Sequence, residues 1–304
     1  MASTAGVCGM IELKDLQLLT ALARHQHFAK AAEACNMSQP AFSMRIRSLE
    51  DKLGLSIVRR GNRFQGLTGE GQMIVDRARG ILDDAKALEQ EVAAARGEVT
   101  GTLVIGVVPT ATSYAAQLIN RLHQAHPRVL VRLEVTTSLS IQQRLYDGTI
   151  DAGVTYSDSV AQDHMSLTPL YDESYVLLAS SGMVEGYPDQ ITWAQAAHLP
   201  LSLLEPQMQN RRILDRIFAD LDLRPEIMSE STGFMASMVM ARAGSVATIL
   251  PKALVEALGP LEGTRVLDLV EPEPTRPICL AAVDRQPELT TIRALRNVIA
   301  KEAR

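Results

Sequence analysis

The sequence predicts an α-helical winged helix-turn-helix at its N-terminus, then a long linker helix, then a larger α/β region. Three observations carry this reading. Within residues 11–67, three short helical patterns precede a basic turn. An unbroken heptad seam follows over 68–97. From 102 onward, short apolar runs alternate with helical segments.

Taken in order, LKDLQLLTALARH (13–25) places Leu16, Leu19 and Ala23 at helical spacing. FAKAAEA (28–34) is an Ala-rich second helix, with Asn36 as its stop. Ser38 is the expected N-cap of a third helix, and Pro40 sits in its first turn, where a missing N–H does no harm. Phe42, Ile46, Leu49 and Leu53 form one buried stripe, and Gly54 ends the helix. Pro40, Met44 and Arg47 lie roughly opposite that stripe, with Ser43 beside them. IVRRGNRFQGLT then reads as a small basic hairpin, or wing.

Thr68 is placed to cap a helix over about 69–96. Its seam runs Ile74, Ala78, Ile81, Ala85, Leu88, Val92 and Ala95. A lone helix with such a seam needs a partner, so these positions predict dimerisation. Gly97 and Gly101 bracket a hinge.

In the α/β region, strands are expected at 103–108, 129–136, 151–156, 175–180, 200–204, 246–250 and 278–283. Helices are expected from about 112, at 139–146, and near 193–197, 210–220, 233–243, 251–257 and 288–302. The alternation implies mainly parallel sheets. EPEPTRP (271–277) is the most linker-like segment.

Composition bounds the function. At 304 residues the chain suits two or three packed units, and 46% hydrophobic content excludes a disordered chain. No run approaches the roughly 18 apolar residues of a membrane span. MASTAGVCGM has no basic region followed by an apolar core, so no signal peptide is expected. Cys8, Cys35 and Cys279 are an odd, scattered set that suits reduced thiols in a cytoplasm. The net charge of −5 speaks against nucleic acid only if read globally. Residues 38–63 hold six Lys/Arg against two acids, and phosphate binding needs a local patch.

The block FAKAAEACNMSQPAFSMRIRSLEDKLGLSIVRR, followed by LTGEGQ, is the most specific in the chain. It carries Ala31-Ala32, Ser38-Gln39-Pro40-Ala41, Ser43 with Ile46, Leu49-Glu50, Leu53-Gly54, Arg60, and Leu67-Thr68 with Gly71. On these residues the sequence resembles the LysR-type transcriptional regulators from about residue 11 to its end. Asp147-Gly148-x-x-Asp151 and the Gly244–Pro251 segment echo the same family. The sequence departs from it at Met44, Arg45 and Val58, so no operator sequence is carried over.

The resemblance implies a periplasmic-binding-protein-like domain of two lobes with an effector between them. The implied organisation is a DNA-binding domain at 11–67, a linker at 68–97 and an effector-binding domain at 100–304. Lobe one would be about 100–171 plus 276–304, and lobe two about 172–275, with EPEPTRP at the second crossing. With the seam over 69–96 pairing two chains, the expected assembly is a homodimer joined into a homotetramer by the α/β domains on double-stranded promoter DNA, with altered DNA bending or contact with RNA polymerase as the readout.

Site residues follow from chemistry within that frame. Ser38, Gln39, Pro40, Ser43, Arg45 and Arg47 are the expected DNA-facing residues of the third helix. Gln can pair with adenine and Arg with guanine in the major groove. Arg59, Arg60 and Arg63 on the wing suit phosphate or minor-groove contact. For the effector, small hydroxyls at helix starts favour an anion. Thr110, Ala111, Thr112 and Ser113 follow one strand, and Thr137 and Ser138 follow the next. Gln207, Met208 and Thr232 face them from the other lobe if the two-lobe fold holds. No catalytic residues, metal ligands or cofactor are expected: the sequence has no nucleophile elbow, P-loop or dinucleotide fingerprint. The rival readings are a transporter's solute receptor and an enzyme with a DNA-binding head. The first leaves the N-terminal module unexplained, and the second lacks a nucleophile–base pair.

Overall fold

The computed structural model describes residues 11–59, 64–161 and 163–302. It divides into two compact units, residues 1–92 and 93–304, each described by itself.

The first unit opens with α1 (Leu13–His25), α2 (Phe28–Ala34) and α3 (Gln39–Leu53). Leu18, Leu19 and Leu22 of α1, Ala31 and Ala32 of α2, and Phe42, Ile46 and Leu49 of α3 share one core. Phe28 meets Phe42 and Phe64 edge-on, each at 6.2 Å. The Ser38 hydroxyl accepts from the Ala41 N–H at 3.4 Å, Pro40 follows in the first turn, and Gly54 closes α3 at φ 65°. The chain then turns back beneath α3. The buried Glu50 carboxylate accepts the backbone N–H groups of Ile57 and Val58 at 2.7 and 3.1 Å. These are the donors that a buried strand end would otherwise leave unpaired.

The described ends of the wing are paired. Val58 and Leu67 form an antiparallel bridge, and the Arg59 N–H donates to the Gly66 carbonyl at 3.0 Å. Residues 60–63, with Arg60 and Arg63, lie outside the described residues.

The long helix α4 (Gly69–Ala95) is capped by Thr68, whose hydroxyl accepts from the Gly71 N–H at 2.9 Å. A Cβ on Gly71 would sit 2.2 Å from the Ile57 carbonyl oxygen, so only glycine lets the helix start so close. Val75 packs into the core of the first unit and Ile74 lies against it. The expected seam is therefore divided. Ile74 is half-buried because the first turns of α4 complete the helix-turn-helix core, and Ala78 is buried within the chain itself. Ile81, Leu88 and Val92 remain 47%, 61% and 51% exposed, with Ala85 half-buried.

The second unit has two lobes. Lobe one is a five-stranded sheet ordered β2-β1-β3-β11-β4. Its strands are β1 (Gly101–Val107), β2 (Val129–Val135), β3 (Ala152–Tyr156), β4 (Met165–Glu173) and β11 (Arg276–Val283). It carries α5 (Thr112–Ala125), α6 (Ser138–Tyr146) and α11 (Thr290–Glu302). Lobe two has a sheet ordered β6-β10-β5-β9 and a pair β7-β8. Those strands are β5 (Tyr175–Ser180), β6 (Gln190–Thr192), β7 (Leu201–Leu204), β8 (Ile227–Ser231), β9 (Thr248–Pro251) and β10 (Thr264–Val270). Its helices are α7 (Trp193–Ala197), α8 (Gln209–Asp220), α9 (Phe234–Arg242) and α10 (Lys252–Leu258). The chain passes between lobes at Ser174 and again over 271–275. Trp193, fully buried in lobe two, donates its indole N–H to the Pro272 carbonyl at 2.9 Å and so holds the return crossing.

The sheets are mixed rather than mainly parallel. β1 runs parallel to β2 and β3, but β11 lies antiparallel to both β3 and β4. β5 is antiparallel to β9 and β10. The reason lies in the crossings: β4 passes into β5 without a helix between them, and β11 re-enters lobe one from the other side.

Candidate nucleic-acid interface and effector cleft

The exposed side of α3 is a composed surface. The buried stripe holds the helix on the core, which leaves Gln39, Pro40, Met44 and Arg47 exposed and Ser43 half-buried. Arg47 has no ion-pair partner among the described residues. The Ser38 hydroxyl is spent on the helix cap.

Arg45 departs from the expected surface. Its Nε donates to Asp15 Oδ1 at 2.8 Å and one terminal nitrogen donates to Glu12 Oε2 at 2.6 Å. Lys52 adds a bond to Asp15 Oδ2 at 3.3 Å. Arg45 therefore clamps α3 to the start of α1, where a buried carboxylate needs its charge balanced. Burial alone would push the Asp15 carboxyl up, but Arg45, the Glu12 backbone N–H and Lys52 together hold it below the usual carboxylate range.

In lobe one, β1 runs through a single 3₁₀ turn at Pro109–Ala111 into α5. Thr112 and Ser113 are half-exposed at the start of that helix. The Thr112 hydroxyl donates back to the Pro109 carbonyl at 3.0 Å, and Ser113 donates across the cleft to the Ala253 carbonyl of α10 at 3.5 Å. Thr137, also half-exposed, caps α6 by accepting from the Ser140 N–H at 3.2 Å. In lobe two, Gln207 and Thr232 are exposed, and Gln207 donates to Glu205.

Four expected effector contacts lie beneath the surface. Thr110 and Ala111 are fully buried. The Thr110 hydroxyl lies 3.2 Å from the Tyr156 hydroxyl. Ser138 is buried and accepts from Thr155 at 3.0 Å, which pins α6 to β3. Met208 packs in the core of lobe two with Leu204, Phe234 and Met238. A side chain at a helix start faces solvent only when the neighbouring strand does not claim it, and here β3 claims two. The side chains of Thr112, Ser113, Thr137, Gln207 and Thr232 stay at the surface.

One polar cluster was not anticipated from sequence. At the first crossing Glu173 is 1% exposed, and its Oε1 accepts from the Tyr156 hydroxyl at 2.6 Å. Its Oε2 is buried without a partner. The Tyr175 hydroxyl lies beside the same carboxylate without the alignment of a hydrogen bond. Burial outweighs the Tyr156 hydrogen bond and the neighbouring hydroxyls of Thr110 and Tyr175 and pushes the Glu173 carboxyl up to about 7. The hydroxyls of Tyr156, Tyr171 and Tyr175 are raised as well, first by burial and then by the facing carboxylate. The one legible signal was an acid inside YDESYV, next to an apolar strand.

Among the described residues there is no cluster of three His, Cys, Asp or Glu side chains placed to hold a metal. No described helix is long and apolar enough to cross a membrane.

Comparison with known proteins accords with this architecture. Residues 13–72 match the bacterial regulatory helix-turn-helix protein, lysR family, and residues 96–304 match the LysR substrate binding domain. The hydrogen peroxide-inducible genes activator of Haemophilus influenzae is 30% identical over 281 residues, covering 89% of this chain and 90% of that protein. The transcriptional dual regulator OxyR of Escherichia coli K12 is 31% identical over 285 residues, covering 89% and 88%. Among solved structures, a full-length OxyR from Pseudomonas aeruginosa with a cysteine-to-aspartate substitution matches with TM-score 0.72 at 25% identity, covering 95% of this chain and 98% of that one. CbnR in complex with its target DNA matches with TM-score 0.62 at 20% identity, covering 96% and 99%, a likeness of fold. The chain belongs to the LysR family of DNA-binding transcription regulators.

Proposed function

We propose that this regulator reads promoter DNA with the exposed side of α3 and answers a small anionic effector held between the lobes. The observation that carries the first part is the pairing of exposed Gln39 and Arg47 with a core stripe that fixes which side of α3 faces out. Gln39, Pro40, Ser43 and Arg47 are the proposed groove contacts, with Ser38 setting the helix start. Arg59, Arg60 and Arg63 of the wing are assigned to the DNA backbone. Arg45 acts through α1 instead.

The working division is residues 11–67 for DNA, 68–97 for the linker and 100–304 for the effector. The exposed Ile81, Leu88 and Val92 support pairing of two α4 helices, with Ala85 between them. Dimers joined through their effector units give a tetramer, and RNA polymerase is the proposed recipient of the changed arrangement. A reduced, cytoplasmic setting fits the free thiols of Cys35 and Cys279 among the described residues.

Anion preference rests on the hydroxyls of Thr112, Ser113 and Thr137 at the starts of α5 and α6, where the helix dipole favours negative charge. Some relatives are named for genes induced by hydrogen peroxide. A disulfide within one effector unit needs two cysteines. Residues 93–304 contain Cys279 alone, and burial pushes its thiol up. A noncovalent effector is therefore the favoured reading.

The test is binding of the full chain to operator DNA at fixed salt, with and without small carboxylates and inorganic oxyanions. An anion that shifts DNA affinity and raises the melting temperature supports the proposal. A shift caused only by neutral or cationic compounds removes the anion assignment.

A further inference from the structure

We infer that Met44 reads the C5-methyl group of a thymine in the major groove. This rests on α3 being the DNA-facing helix, as proposed above.

Met44 is 67% exposed, the most exposed of the large apolar side chains described in residues 11–59. It lies on the second turn of α3, four residues after Pro40 and three before Arg47, and all three are exposed. The opposite stripe of Phe42, Ile46 and Leu49 is fully committed to the core. Met44 therefore has no packing task within its own unit. A fully apolar side chain at that place gains free energy only when a partner covers it.

The chemistry of the side chain narrows what the partner can be. A thioether donates no hydrogen bond and accepts only weakly. It cannot distinguish the donor and acceptor patterns of base edges. The apolar feature in the major groove is the thymine methyl, and apolar side chains are the groups that contact it. The unbranched, polarizable side chain can follow the methyl without strict rotamer demands.

Arg47 gives the position a local context. Residues three apart on a helix have Cβ atoms roughly 5–6 Å apart. Base pairs stack at about 3.4 Å. The guanidinium and the thioether thus reach base pairs about one or two steps apart. Since Arg favours the O6 and N7 of guanine, the half-site should contain a G·C pair and a T·A pair at that spacing.

The experiment uses the full chain and duplexes it selects from a random pool at fixed salt. Each thymine of the selected duplex is replaced, one at a time, by deoxyuridine, which lacks only the methyl. Loss of one buried methyl should weaken binding roughly fourfold at one thymine per half-site. Met44→Ala should lose this sensitivity, and Met44→Leu should keep it. Unchanged melting of both variants, expected for so exposed a position, shows that the helix is intact. Thymines insensitive to the replacement, or equal sensitivity in Met44→Ala, overturn the assignment while DNA binding stands. Failure of the wild-type chain to select any duplex overturns both this assignment and the DNA-facing reading of α3.

Discussion

The hydroxyl of Tyr156 donates to Oε1 of Glu173 across 2.6 Å, and both groups are buried where the chain first leaves lobe one. Thr110, Tyr156, Glu173 and Tyr175 come from the loop after β1, from β3, and from the ends of β4 and β5. The crossing between lobes thus has a carboxyl group at its centre, with one oxygen unpaired.

Because the folded protein raises this carboxyl from 4.5 to about 7, the native state holds a proton that the unfolded chain releases. Stability should therefore fall as pH rises from about 4.5 to about 7, then level off. The full effect is about 3 kcal/mol at most. Glu173→Gln mimics the protonated form and keeps an acceptor for Tyr156. Its melting temperature should match wild type near pH 5 and exceed it at pH 8. Thermal melts across that range decide the matter, and a difference independent of pH would contradict the assignment.

Asp15 is 2% exposed and held by Arg45 and Lys52. Arg45→Gln removes one partner and leaves Lys52, so a loss of about 1–2 kcal/mol from the first unit is expected. The depressed Asp15 carboxyl makes its contribution present at neutral pH and lost as pH falls through the folded pKa. The salt dependence of DNA binding should not change. A slope reduced by about one ion, with stability intact, would instead return Arg45 to the DNA surface.

Leu88 is 61% exposed on α4, whereas Val75 is fully buried in the first unit. Leu88→Glu should weaken dimerisation on the order of 30-fold, the equivalent of one uncovered leucine. Sedimentation should show this with the melting of each unit unchanged. Val75→Glu should unfold the first unit instead. A Leu88→Glu chain that remained fully dimeric would move the interface off this seam.

Cys279 is buried on β11, and burial pushes its thiol up. A raised thiol is largely unionised at neutral pH and reacts slowly. Cys279→Ala should keep the effector response of DNA binding, read as the shift in affinity on adding the effector. Loss of that response with melting unchanged would make the thiol part of the sensor.

Local signals served best where structure is locally determined. Ser38, Pro40 and Gly54 bound α3 as expected, and Thr68 starts α4. α7 falls at the expected 193–197, and Thr192 caps it. β4 escaped because Pro169 interrupts it, at a register shift opposite Ile278 and Cys279. β6, β8 and β10 were missed too, and three-residue β6 offers no period to read. The surroundings of the site residues were hidden for a related reason. Arg45 and Asp15 are 30 residues apart, and Thr110 and Tyr156 are 46 apart. Whether a hydroxyl at a helix start meets a ligand or a neighbouring strand depends on such distant partners, which no local window contains.

If the exposed side of α3 reads DNA sequence, Arg47 is the side chain whose loss shows it. Binding of wild type and Arg47→Ala to a selected duplex and to a scrambled one should be measured over a range of salt. The wild-type affinity should fall linearly with log salt and favour the selected duplex. Arg47→Ala should lose about 1–3 kcal/mol on that duplex and much of its preference over the scrambled one. A variant that discriminated as sharply as wild type, at every salt, would contradict the account.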